Sequence, residues 1–110
     1  MIQLPQNTAQ QPTRQHPRVA ADFAVRLFDG SSSVLVRAKD LSMAGLSVLD
    51  PEGKLGLRID RVSLHIPGEP WELELRVRLT RRVGDTVAVA FSDLDWDDMF
   101  ALARYLSPRL

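Results

Sequence analysis

Residues 71–83 read WELELRVRLTRRV, and their alternation decides the class of fold. Leu73, Leu75, Val77 and Leu79 share one parity while Glu72, Glu74, Arg76 and Arg78 share the other, the period-two pattern of a strand with one face in a core and one in water. Gly84 and Asp85 follow as turn residues, and Thr86–Phe91 supplies a hairpin partner. Upstream, Pro67, Gly68, Glu69 and Pro70 close a strand at Arg61–Ile66, and Asp50, Pro51, Glu52 and Gly53 end a short one at Gly45–Leu49. Ser33–Leu41 is a further strand whose alternation is imperfect, because Leu35 and Leu41 share a parity with Arg37 and Lys39; a bulge near Ala38–Asp40 repairs it. Asp22–Phe28 places Phe23, Val25 and Leu27 on one face, and Asp29 and Gly30 turn it into the next strand.

Six short strands with turn signals and no helical pattern between them argue for an all-β, six-stranded antiparallel barrel over residues 20–92, since closure removes the edges those strands would expose. The period then changes. Asp93 or Asp95 caps a C-terminal helix over about 95–107, with Asp97 and Asp98 in its first turn and Arg104 in its last, both matching the helix dipole. Trp96, Met99, Phe100, Ala103 and Leu106 fall on one side, which is predicted to close an opening of the barrel.

A chain of 110 residues makes one domain, and its formal net charge of zero argues against holding nucleic acid by bulk electrostatics, so an anion site has to be local. With no cysteine, thiolate chemistry and disulfides are excluded. No window has the apolar length of a membrane span, so no membrane insertion is expected and the reading is a soluble, cytoplasmic protein. Residues 1–13, rich in Gln, Pro, Asn and Thr, are expected to form a flexible tail.

Two polar stretches stand out against this frame: RQHPR at 14–18 and DLSMAG at 40–45. The arginines Arg14 and Arg18 are guanidinium forks suited to phosphate and to the acceptor edge of guanine. Extended-chain parity predicts that Asp40 and Ser42 leave one strand face, and Gly45 lets another molecule or segment approach the backbone. DLSMAG also fits a turn in which the side chains bond their own backbone. The interval between Arg18 and Asp40 leaves room for two strands. With no nucleophile and base pair, metal constellation or glycine-rich phosphate loop, neither an enzyme nor a bound metal or cofactor is expected.

The pair RxxxR followed by DxSxxG resembles the PilZ domain, a bacterial receptor for the second messenger cyclic di-GMP, over residues 14–110. The resemblance implies a PilZ-like split barrel in which Arg14 and Arg18 grip the phosphates and guanine edges while Asp40, Ser42 and Gly45 meet a guanine and its sugar-phosphate. It implies too that the 14–18 leader orders over the barrel on binding and that, with no output domain following the helix, an unidentified protein effector acts in trans. An adaptor that binds a protein partner but no nucleotide is the alternative. Secondary candidates are His16, between the arginines; Met43, inside the motif; and Arg81 and Arg82, which end a basic cluster begun by Arg76 and Arg78. His65 is a lone histidine with a structural role, and a barrel binding single-stranded nucleic acid fits the fold but lacks an interleaved basic and aromatic surface.

Overall fold

The computed structural model describes residues 16–56 and 58–110. The expected 1–13 tail and Arg14 lie outside the described residues. Seven strands run in order: β1 (Val19–Ala20), β2 (Ala24–Asp29), β3 (Ser32–Leu41), β4 (Gly45–Leu49), β5 (Arg61–Leu64), β6 (Leu73–Val83) and β7 (Thr86–Ser92). Helix α1 (Trp96–Leu106) and a 3-10 turn (Ser107–Arg109) follow. Every pairing is antiparallel, and the ring β3–β2–β5–β6–β7–β4 closes because β4 also pairs with β3. The expected six-stranded barrel is therefore present, with β1 as an addition beside the distal end of β3.

Each strand sends its aliphatic parity inward. On β6, Leu73, Leu75 and Val77 are buried while Glu74, Arg76 and Arg78 are exposed, as is Glu72 just before it. The core they enter also holds Val25, Leu27, Leu41, Leu46, Val48, Val62 and Leu64, all within 1% of full burial. Each such side chain is stabilised by about 1.5–3 kcal/mol relative to water exposure. The hairpins β2–β3 and β6–β7 each turn on two residues, with Gly30 at φ 61° and Gly84 at φ 58°, the left-handed backbone that such tight turns require.

Helix α1 begins at Asp95, whose carboxylate accepts from the Asp98 N–H at 2.8 Å while Asp98 accepts in return from the Asp95 N–H. Asp93, the other expected cap, instead makes the approach turn at φ 57°. The expected inward face of the helix is corrected. Ala101, Leu102, Tyr105 and Leu106 are buried, Trp96, Phe100 and Ala103 are exposed, and Met99 is half-buried. Tyr105 decides the rotation, because its ring meets Phe23 edge to face at 5.9 Å and carries the Arg109 guanidinium 3.9 Å from its centroid.

The loop after β4 is held by a buried carboxylate. Asp50 accepts from the Lys54 and Leu55 N–H groups at 2.9 and 3.0 Å and from Arg82 Nη2 at 3.0 Å, and Arg82 also donates to the Leu55 carbonyl. Burial alone would raise the Asp50 carboxyl, but the two backbone N–H groups and Arg82 outweigh it and hold it below its ordinary value. A carboxyl depressed in the folded state contributes stability that is complete above its unfolded value and is lost as pH falls through the folded one. Asp50→Asn is accordingly expected to cost about 2–3 kcal/mol at neutral pH, with the gap to wild type narrowing below about pH 4. Urea unfolding across that range checks both the size and the direction.

Candidate functional site

Strand β3 slips register against β4 between Ala38 and Asp40, where the alternation of the sequence called for a bulge. The slip lets two consecutive residues, Lys39 and Asp40, reach the outside of the barrel, while Ala38 and Leu41 on either side remain buried. A second slip, between Leu79 and Arg81 on β6, does the same for Thr80 and Arg81. These two irregularities flank a groove of about 450 Å³ lined by Arg18, Lys39, Asp40, Ser47, Thr80, Arg81, Val83, Thr86 and Ala88.

Asp40 and Ser47 face each other across β3 and β4. Arg18 Nη1 donates to Asp40 Oδ1 at 2.8 Å and to Ser47 Oγ at 2.9 Å, so one nitrogen is bound by both strands. Strand β1 makes this possible: Val19 pairs with Leu41 and Ala20 with Asp40, which sets Arg18 at the mouth of the groove. At the far side Lys39 Nζ donates to Thr86 Oγ1 at 3.4 Å, and Thr80 Oγ1 donates to the Ala88 carbonyl at 3.1 Å. Three cations (Arg18, Lys39, Arg81) against one carboxylate (Asp40) line the groove of a chain whose total charge is zero. The chemistry of such a surface suits an anion, with one acceptor edge for a base.

The remaining motif residues are placed differently. Ser42 is buried, and its Oγ accepts from the Ala44 and Gly45 N–H groups at 3.0 and 3.3 Å while its own N–H donates to the Gly45 carbonyl. The parity that would put Ser42 beside Asp40 ends with β3 at Leu41, and the serine works as the turn into β4. Gly45 lies opposite Ala90 of β7, and a Cβ there would overlap the Val89 carbonyl oxygen. The close approach expected of this glycine is thus made by the chain's own backbone. Met43 packs half-buried against the core, His16 is exposed outside the groove lining, and Arg82 is taken by Asp50. His65 Nε2 lies 2.8 Å from the Glu69 carbonyl oxygen, in a structural role. Arg14 is outside the described residues.

Lys39, Ser47, Thr80 and Thr86 are groove residues that the sequence reading passed over. A hydroxyl two residues beyond the glycine of DLSMAG was a usable signal for Ser47, since both lie on one strand. Among the described residues, no group of three or more His, Asp or Glu side chains is arranged to hold a metal ion. No described helix is long and apolar enough to cross a membrane.

A family model described as the PilZ domain matches residues 12–107. Curated proteins give no match. Among solved structures, the Bacillus subtilis inhibitor of motility MotI/DgrA aligns with a TM-score of 0.73 at 19% identity, over 90% of this chain and 51% of that one. This chain therefore spans about half the length of that protein. The PilZ domain of Escherichia coli YcgR with c-di-GMP gives 0.64 at 17% identity, over 89% and 92% of the two chains. The PilZ domain of CeSA from a cellulose-synthesizing bacterium gives 0.63 at 23%, over 86% and 99%.

Because the added carbon of Gly45→Ala has only backbone in its way, that variant is expected to lose at least about 2–3 kcal/mol of stability, with the β4–β7 pairing shifted. Denaturant melts, with amide exchange at Gly45 to Leu49, read this out. Ser47→Ala, which removes one acceptor from a partly exposed bond, is expected to cost no more than about 1 kcal/mol in the same melts.

Proposed function

Since the chain belongs to the PilZ domain family, we propose that it is a cyclic di-GMP receptor whose ligand lies in the groove between the two register slips. The observation that carries this reading is the joint use of both motifs at one place: Arg18 of RxxxR is bonded to Asp40 of DxSxxG in a groove with two further cations. A cyclic dinucleotide brings two phosphates and two guanines. Asp40 accepts from the N–H edge of one guanine, the free edge of Arg18 donates to phosphate or to the guanine acceptors, and Lys39 and Arg81 neutralise phosphate. Ser42 and Gly45 serve the site through the backbone, by shaping the turn that carries β4.

Arg18 is already bound to the barrel, so the ordering of the leader reduces to bringing Arg14 onto the ligand, completing a clamp of two arginines. The fold shared with a YcgR domain holding c-di-GMP supports this choice of ligand. The receptor acts in the cytoplasm and passes its state to a separate effector protein, with no chemical step of its own.

Isothermal calorimetry with cyclic di-GMP, competed by GTP and by RNA oligomers, tests the reading. Wild type binds and only the cyclic dinucleotide competes. Arg14→Ala and Asp40→Ala each lose about 1–3 kcal/mol of binding or more, while the melting temperature stays nearly constant because the Arg18–Asp40 pair is partly solvated. Undiminished affinity in both variants would overturn the assignment.

A further inference from the structure

We propose that the end of the barrel formed by the start of β6 and the outer face of α1 docks an arginine- or lysine-bearing segment of a partner protein. Both tryptophans of the chain are here and both are largely in water, Trp71 at 69% and Trp96 at 71% exposure. Phe100 is 54% exposed, and its ring sits 6.0 Å from that of Trp96. None of the three fills the core: α1 turns its other arc to the barrel, and Trp71 precedes the first buried residue of β6, Leu73. Exposed clustered aromatics are the residues most enriched at the centres of protein interfaces.

The charge around them specifies the occupant. A cleft of about 340 Å³ between Trp71 and Phe100 is lined by Glu72, Glu74, Asp97, Asp98 and the helix-capping Asp95. Arg104 is the cation on this lining, and its guanidinium is already bidentate on Glu69 at 2.7 and 3.0 Å. Five carboxylates thus stand beside two exposed rings in a chain with no net charge. Acidic walls repel anionic lipid and nucleic acid, whereas a guanidinium or ammonium gains from the carboxylates and from the rings together. This surface shares no lining residue with the nucleotide groove, so it is independent of the ligand assigned there.

The test is a titration of the ¹⁵N-labelled full chain with the acetylated, amidated octapeptide of alternating glycine and arginine. Both indole N–H resonances are expected to shift saturably, the affinity to fall with added salt, and the citrulline version of the peptide to leave them in place. Trp71→Ala/Phe100→Ala, with every carboxylate kept, and Glu74→Gln/Asp97→Asn, with every ring kept, are each expected to weaken binding about tenfold while cyclic di-GMP titrations and melting stay unchanged. Unmoved indoles overturn the proposal. So does full binding by the ring-deleted variant, which would mean bulk attraction only, and so does a concentration-dependent shift of these indoles without peptide, which would make a second copy of the chain the occupant.

Discussion

Strand β3 is the member on which the barrel depends. It is hydrogen-bonded along both edges, to β2 and β1 on one side and to β4 on the other, and it is the pairing with β4 that turns an open sheet into a ring. A regular strand in that position would alternate strictly and send Lys39 and Asp40 to opposite faces. The slip between Ala38 and Asp40 releases the local ladder so that both polar side chains go outward while Ala38 and Leu41 stay in the core. Closure of the fold and exposure of the acidic acceptor therefore meet in one strand pairing, β3 with β4.

Polar anchoring around that ring has a division of labour. Asp50 is nearly excluded from water and is surrounded by two amides and a guanidinium, so it holds the β4–β5 connection in place. Glu69 and Arg104 tie the turn before β6 to the helix through a bidentate pair at the surface. Ser42 fixes the turn into β4 through the Ala44 and Gly45 N–H groups and the Gly45 carbonyl. Asp40 differs from all of these in lining the groove together with its partner, Arg18.

What the sequence made legible follows from where its alternation is strong. β6 could be read residue by residue because aliphatic and charged side chains alternate without a break from Glu72 to Leu79. The first bulge was legible because two leucines, Leu35 and Leu41, share the parity of Arg37 and Lys39. The second was not, since Thr80, Arg81 and Arg82 are all polar and a slip among them leaves no mark on the pattern. The helix misled for the opposite reason. Large apolar residues surround it, so periodicity admits more than one inward arc, and the contact of Tyr105 with Phe23 that selects one joins residues far apart in the chain. Within the site, Arg18 and Asp40 came from motif spacing, whereas Ser47, Lys39 and Thr86 become neighbours only through strand register. Ser42 and Gly45 were legible as special positions, but their work is done on the chain's own backbone.

The bonds of Arg18 to Asp40 and Ser47 both leave from one terminal nitrogen. A guanidinium is a flat plate with donors on its edges, and pinning one corner fixes the plane and aims the opposite edge, that of Nε and Nη2. The rotamer freedom of a long side chain, about 2 kcal/mol, is then lost when the barrel folds and not when an anion arrives. An acceptor pair lying in that plane meets two donors at once; one that is tilted meets a single donor or none. An anion held at this position would be selected by direction, as with a keyed socket, in addition to the attraction of the positive charge nearby.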